Sequence, residues 1–241
     1  MPGKYGAGSF SVLQIGGISM LTAKLKGASW KIEVPQESTD GLGDAWSEMS
    51  PTGAVIGTFS QEGAYFDDTA SRMHSALKSG VPASRVGVVA YAGNTIGSAM
   101  VGFSGMLNTA YDVIASMGGL SKANAAYAVS GSVEPGVILQ PLEEKSANWT
   151  GTSVDYGAAT TGGGAGYLSV SQFNMTNAIV KVRHSADNVT FADLVTFTTV
   201  TASPTAERVA VTGTVNRYLM STGTVTGVGT ISLVSGFART V

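Results

Sequence analysis

The chain contains no cysteine and only two histidines, His74 and His184, in 241 residues. Neither a disulfide framework nor a thiolate metal site can be built, and most catalytic metal centres would lack their ligands. Charge is also scarce: Asp, Glu, Lys and Arg make up 12% of the chain, against about 25% in an average soluble domain. A surface so poor in charge is most economically covered by protein, which points to self-association. The net charge of −2 argues against a surface that grips nucleic acid by neutralising phosphates. No apolar run approaches the ~18 residues of a membrane span. The start, Met1-Pro-Gly-Lys-Tyr-Gly, has no apolar stretch behind Lys4 such as a secretory signal needs. The expectation is a chain folded in a cytoplasm, without membrane insertion.

What is present is alternation. Trp30, Ile32 and Val34 alternate with Ser29, Lys31 and Glu33, a period of two that describes a half-buried strand. Leu21, Ala23 and Leu25 alternate in the same way before Gly27. Phe59 and Tyr65 oppose Thr58, Ser60 and Glu62; Phe103, Leu107 and Tyr111 oppose Ser104, Asn108 and Asp112; Ala123, Ala125, Tyr127 and Val129 oppose Lys122, Asn124 and Ser130. These read as long antiparallel strands with one wet face. One segment departs from the period. Asp67-Asp68-Thr69 can cap a helix on which Ala70, Met73 and Leu77 recur at helical spacing before Gly80 and Pro82. The stretch Pro35 to Pro51, with Thr39, Asp40, Asp44, Trp46 and Glu48, has no apolar period and is long for a loop, as functional loops often are. The fold class expected is mainly β with one flanking α-helix.

Composition changes near Lys145, after which almost every segment is β-like. Residues 146–166 end in Thr160-Thr-Gly-Gly-Gly-Ala-Gly166, a small-residue run expected to act as a flexible linker. The domains expected are therefore 1–145, the linker 146–166, and a C-terminal β-sandwich over 167–241, its short strands separated by turn residues such as Asp187-Asn188 and Ser203-Pro204.

Candidate chemistry is thin. Ser75-Ala-Leu-Lys78 matches Ser-x-x-Lys, but no partner motif accompanies it and the lysine suits a helix C-terminus. The glycine run precedes a strand, so no helix N-terminus aims amides at a phosphate there. Asp67 and Asp68 are better placed as caps than as an acid–base pair. Asn148-Trp-Thr150, Asn174-Met-Thr176 and Asn188-Val-Thr190 are formal sequons without a secretory route. The expectation is no enzyme, no cofactor and no metal.

Several stretches resemble a known family. Gln36-Glu-Ser-Thr-Asp-Gly-Leu-Gly-Asp44, Pro51-Thr-Gly, Ser60-Gln-Glu-Gly-Ala-Tyr-Phe-Asp67, Ala92-Gly-Asn-Thr-Ile96, Leu120-Ser-Lys-Ala-Asn124 and Gly136-Val-Ile-Leu139 give residues 1–142 a resemblance to the major tail tube protein of long, non-contractile-tailed bacteriophages (siphophages). The part through Val180-Lys-Val-Arg-His-Ser-Ala-Asp-Asn-Val-Thr-Phe191 and Arg217-Tyr-Leu219 resembles accessory β-sandwich modules of phage particles, immunoglobulin-like or jelly-roll-like. The resemblance implies a tail-tube β-sandwich or half-barrel and hexameric rings that stack into a tube conducting double-stranded DNA. It implies as partners the chain itself, the tape-measure protein and tail terminator and tip proteins, with a host-surface glycan at the outer domain as a further possibility. Its place would be the virion, assembled in the bacterial host cytoplasm. In that arrangement Thr58, Ser60, Glu62, Ser104, Asn108, Asp112, Lys122, Asn124 and Ser130 face the lumen, and Thr39, Asp40, Asp44, Trp46 and Glu48 form the loop between rings. Two other readings stay open at this stage, a capsid decoration protein and a carbohydrate-binding host-attachment module.

Overall fold

A computed structural model of the chain describes residues 10–20, 25–40, 46, 48–51, 53, 55–65, 74, 84–115, 117 and 119–240. The fold is mainly β. The first part supplies β1 (Val12–Ile15), β2 (Ile18–Ser19), β3 (Gly27–Glu33), β4 (Gln36–Ser38), β5 (Met49–Pro51), β6 (Ile56–Tyr65), β7 (Ser84–Ala90), β8 (Ala99–Ile114), β9 (Lys122–Val129) and β10 (Val133–Lys145). The second supplies β11 (Trp149–Thr150), β12 (Val154–Asp155), β13 (Gly164–Phe173), β14 (Asn177–Ser185), β15 (Ala192–Thr196), β16 (Thr205–Val211), β17 (Tyr218–Thr226) and β18 (Ile231–Arg239). The helix expected over Asp67–Pro82 lies outside the described residues, as does most of the strand expected at Leu21–Leu25. Only His74, in helical conformation, and Leu25 are described there.

One 11-stranded sheet crosses both parts of the chain, in the order β16-β13-β18-β10-β8-β7-β1-β2, and β8 also leads through β9 and β6 to β3. A 5-stranded sheet, β11-β17-β14-β15 with β12 on β17, faces its C-terminal end. All pairings of the large sheet are antiparallel. Three apolar clusters result. One lies wholly in the first part and includes Leu13, Phe59, Phe103, Met106, Tyr127 and Val129. A second fills the sandwich between Leu168, Val180, Val195, Leu219, Leu233 and Phe237, and takes in Leu139 of β10. The third joins Val88 and Met100 to Tyr167 and Val234, across the expected domain boundary.

Residues 146–166 are therefore not a flexible linker. They hold β11, β12 and the first residues of β13, a strand paired on both edges, with β16 and β18. The run is small because the sheet leaves no space. A Cβ on Gly164 would stand 2.3 Å from the Ala238 carbonyl oxygen, and one on Gly163, at φ +75, would stand 2.1 Å from that of Val211. Glycine at such a position marks a close backbone approach rather than a hinge.

The seam between the parts carries a partly buried polar cluster. Arg208 of β16 donates Nη2 to Glu134 Oε1 at 2.6 Å and Nε to Glu134 Oε2 at 2.9 Å, and the Tyr167 hydroxyl donates to the same carboxylate. The Tyr167 ring lies flat across β8, where a Cβ on Gly102 would meet it at 2.4 Å. Burial opposes the charge on Glu134, but the hydrogen bonds from Arg208 and Tyr167 outweigh it and hold the carboxyl below its ordinary range. A depressed carboxyl stabilises the fold above its unfolded titration and loses that contribution as pH falls through the folded one. Glu134→Gln should lower stability at neutral pH by about 1–2 kcal/mol and shrink the loss of stability seen on acidification. Thermal melts of both proteins across the acid range check this.

Candidate functional site

The surface with the strongest functional geometry is the four-stranded array β3-β6-β9-β8. Its registers fix two faces. On the inner face Trp30 opposes Phe59, Phe59 opposes Tyr127, and Gln61 opposes Ala125. Ala123, Ala125, Tyr127 and Val129 are buried on β9, the full alternation expected from the sequence. On the outer face Ser29 opposes Ser60, Lys31 opposes Thr58, Thr58 opposes Ala128, and Asp112 opposes Asn124.

Most of the polar residues singled out from the sequence share that outer face. Thr58, Glu62 and Asp112 are exposed; Ser60, Lys122 and Asn124 are partly so. Ser60 Oγ lies 2.7 Å from Ser29 Oγ, and Asn124 Oδ1 accepts the Gly63 amide at 2.8 Å. Ser104 and Ser130 sit at the β9–β10 corner instead. Ser104 Oγ accepts the Ser132 amide at 2.8 Å, and Ser130 Oγ donates to the Gly105 carbonyl at 2.9 Å.

Asn108 is the misplaced member, and it corrects the expected face assignment of β8. Gly105 takes φ +64, which inserts a bulge and shifts the alternation by one residue. Phe103 and Met106 both enter the core, Asn108 follows them at 4% exposure opposite Tyr127, and Leu107 moves to the outer face opposite Ala128. A second register shift between Asn108 and Ala110 returns Tyr111 to the inner face and Asp112 to the outer one. Among the described residues, both amide atoms of Asn108 and the Tyr127 hydroxyl are buried without a hydrogen-bond partner. Burial pushes the Tyr127 hydroxyl well above the usual tyrosine range.

Among the described residues the edges of this array are open. Among them β3 pairs with β6 alone, the pairing of β7 with β8 ends at Leu107, and residues 108–114 of β8 are paired on the β9 side only. The two ends differ in shape. At one, the β3–β6 hairpin runs on into an arm in which β4 pairs with β5, Thr39 donates its amide to Glu48 O at 3.0 Å, and Asp40 Oδ1 accepts the Glu48 amide at 2.5 Å. Thr39, Asp40 and Glu48 are exposed and Trp46 is 85% exposed; Asp44 lies outside the described residues. At the other end the β8–β9 hairpin closes through Met117 and Leu120, both exposed. The sequence reading did not select these two or their neighbours Val113 and Ile114. Their signal was an apolar pair followed by two apolar residues in a Gly-Gly turn.

The remaining candidates have structural roles. His184 Nδ1 accepts the Asn216 amide at 3.3 Å, and burial lowers its pKa. His74 Nδ1 lies 2.6 Å from the Tyr111 hydroxyl. Asn148 and Asn174 cap the Val225 and Thr230 amides, and Asn188 accepts the Ser153 hydroxyl at 2.6 Å from a left-handed φ of 60. Ser75 and Lys78 lie outside the described residues. Among the described residues no group of three or more acids and histidines could hold a metal ion, and no helix is long and apolar enough to cross a membrane. Of the C-terminal aromatics, Tyr167, Phe197 and Phe237 are fully buried.

No family model and no curated protein matches the chain. Similar solved structures include the tail of an empty GTA particle in C6 symmetry, at 15% identity over 45% of this chain and 79% of that one, with a TM-score of 0.35. They also include SPP1 Dit, described as a hub of the adsorption apparatus in phages infecting Gram-positive hosts, at 9% identity over 95% of this chain and 99% of that one, with a TM-score of 0.37.

Replacing Asn108 separates the two face assignments. On an outer face Asn108→Leu would be close to neutral; in the core it removes an unpartnered amide and should raise stability by about 1–2 kcal/mol. Denaturant unfolding of the variant against the parent measures the difference.

Proposed function

We propose that this chain is a structural subunit of a phage tail, acts on no substrate, and assembles with copies of itself into stacked hexameric rings that form a tail tube for DNA. The observation that carries the reading is the four-stranded array with a packed inner face, a wet outer face of small polar residues and, among the described residues, an unpaired backbone edge on each side. Such edges invite pairing with another chain, and closing a sheet into a barrel removes them. In a ring, β3 of one copy lies beside residues 108–114 of β8 of the next. The sequence resemblance over residues 1–142 supports the same reading, as does the low charge, since a ring member covers surface on both flanks and at both ends.

The outer face then becomes the lumen wall. Its charged residues, Lys31, Glu33, Glu62, Asp112 and Lys122, are mixed and slightly acidic, and Lys31 is already paired with Glu33. A wall of this kind offers DNA few phosphate partners, so a duplex slides along it. The β-sandwich built on β10, β13 and β18 stands outside the tube, where it can meet other tail components or a host-surface glycan. Tape-measure protein within the tube and terminator and tip proteins at its ends complete the assembly, which forms in the bacterial host cytoplasm and leaves it as part of the virion.

Negative-stain microscopy of the purified protein tests this directly. Rings with a central channel, alone or stacked, are expected; trimers or pentamers without a channel would instead favour a capsid decoration protein. Replacing Glu62 and Asp112 with Lys should leave ring formation intact, because neither side chain is packed, while making the tubes bind duplex DNA in a strongly salt-dependent manner. Unchanged DNA binding by these variants in assembled tubes would remove the wall assignment.

A further inference from the structure

The outward face of the five-stranded sheet carries an arrangement for which a tube has no use. The sheet's other face packs into the sandwich core through Val180, Val182, Val195 and Leu219, so the alternate residues point away from the large sheet. The registers set them in a row across four strands: Thr150 of β11 opposes Thr222 of β17, Thr222 opposes Lys181 of β14, and Lys181 opposes Thr196 of β15. Neighbouring strands stand about 4.8 Å apart, so polar groups repeat across this face at a spacing close to the length of one sugar unit. Beside the row, Lys181 and Arg183 share one carboxylate. Lys181 Nζ donates to Asp193 Oδ2 at 2.5 Å, Arg183 Nε stands 3.0 Å from Asp193 Oδ1, and Arg183 Nη2 donates to the Phe191 carbonyl. The hydrogen bond from Lys181 holds the Asp193 carboxyl below its ordinary range. With Asn148, Thr150, Thr222 and Thr224 these side chains line an open cleft of about 490 Å³.

The chemistry of the cleft selects its ligand. Two cations against one acid leave a local positive charge in a chain whose net charge is −2. An ammonium has three donors and a guanidinium five, so both cations keep N–H groups for a further acceptor. Asn148 accepts the Val225 amide through its oxygen, a bond that leaves its own N–H donors unused. The threonine hydroxyls and Asp193 suit the hydroxyls of a sugar, and the paired cations suit a carboxylate. A neutral sugar is ordinarily held by stacking on an exposed ring, and the ring at this cleft does not offer itself: Trp149 lies across Gly223 on the core side, where a Cβ would stand 2.1 Å from it. A polyphosphate is disfavoured by Asp193 and finds no further cations. Arg208, Arg217 and Arg239 are engaged elsewhere, with Glu134, with Asp155, and with the carbonyls of Ala158 and Val215.

We propose that the outward face of the β11-β17-β14-β15 sheet is a binding site for an acidic polysaccharide, with a sugar carboxylate taken by Lys181 and Arg183 and sugar hydroxyls by Asp193, Thr222 and Thr150. The inference rests on the reading that the sandwich stands outside the tube, and it deepens that reading by giving the outer domain a ligand class and named residues. An extended chain of sugars crosses the strands along the threonine row. Repetition of the site around and along a tube lets weak single contacts add up on a polymeric surface.

Titration calorimetry of the full chain tests it, with oligogalacturonate, a linear chain of carboxylated sugars, as the probe. Dextran oligosaccharide of equal length is the neutral control, and poly-glutamate is the carboxylate polymer without sugar hydroxyls. The probe is expected to bind about tenfold or more tightly than either control. Lys181→Gln with Arg183→Gln should weaken its binding by about tenfold or more, as the loss of charge-assisted hydrogen bonds implies, with circular dichroism unchanged because both side chains lie at the surface. Thr222→Val keeps the strand and both charges and should weaken the probe alone, leaving poly-glutamate unaffected. Equal binding of either control, or unchanged binding by the double variant or by Thr222→Val, overturns the site. Repeating the titration on assembled tubes separates this inference from the reading beneath it. Tubes that form but bind the probe no better than dextran, while the free subunit binds it, overturn the outward placement of the sandwich. A protein that binds the probe but never forms rings or tubes overturns the tube reading alone.

Discussion

The architecture depends on one strand serving two partners along the same edge. β8 runs for 16 residues, and its edge is occupied first by β10, from Ala99 to Phe103, and then by β9, from Met106 to Ile114. Between them the chain must turn, and the turn is made by two glycines facing each other. Gly105 adopts φ +64, a conformation that L side chains resist, and a Cβ on it would stand 2.7 Å from the Gly131 amide nitrogen. A Cβ on Gly131 would stand 2.4 Å from Ser104 Oγ. The bulge that lets β9 and β10 diverge is what separates the four-stranded array from the strands that build the sandwich, and so creates its wet face and open edge.

That point also explains which features were legible in the sequence. Where a strand runs without interruption, the period of two reports its faces correctly, as on β9 and on the central residues of β3 and β6. Where a glycine with positive φ intervenes, the period is broken at a residue the pattern cannot identify. Extrapolating from Phe103 through Leu107 to Tyr111 therefore reached the right inner residue at Tyr111 only after two register shifts, and it misplaced Leu107 and Asn108. The C-terminal strands were found because turn residues delimit them. The run Thr160–Gly166 was misread because glycine serves both as a flexible connector and as the only residue that fits between closely packed backbones; composition does not distinguish the two, whereas the contacts of Gly163 and Gly164 do.

The polar face was visible from alternation, and the projecting arm from its lack of apolar period. The open edges and the hairpin tip were not, because an unpaired strand edge is a property of topology rather than of residue type, and Met117 and Leu120 look like ordinary core residues until the turn that exposes them is known. These features are the ones the proposed assembly rests on: the subunit's edges, its apolar ends and its low charge would be covered by neighbours, and the seam of Glu134, Tyr167 and Arg208 joins the sandwich to the array.

Hydrogen exchange on the free and the assembled protein tests the central claim most directly. Lateral ring closure predicts that amides of Gly27–Glu33 on β3 and of residues 108–114 on β8 slow markedly on assembly, because the edges become paired. Amides of these two edges exchanging at the same rate in both states would contradict the account.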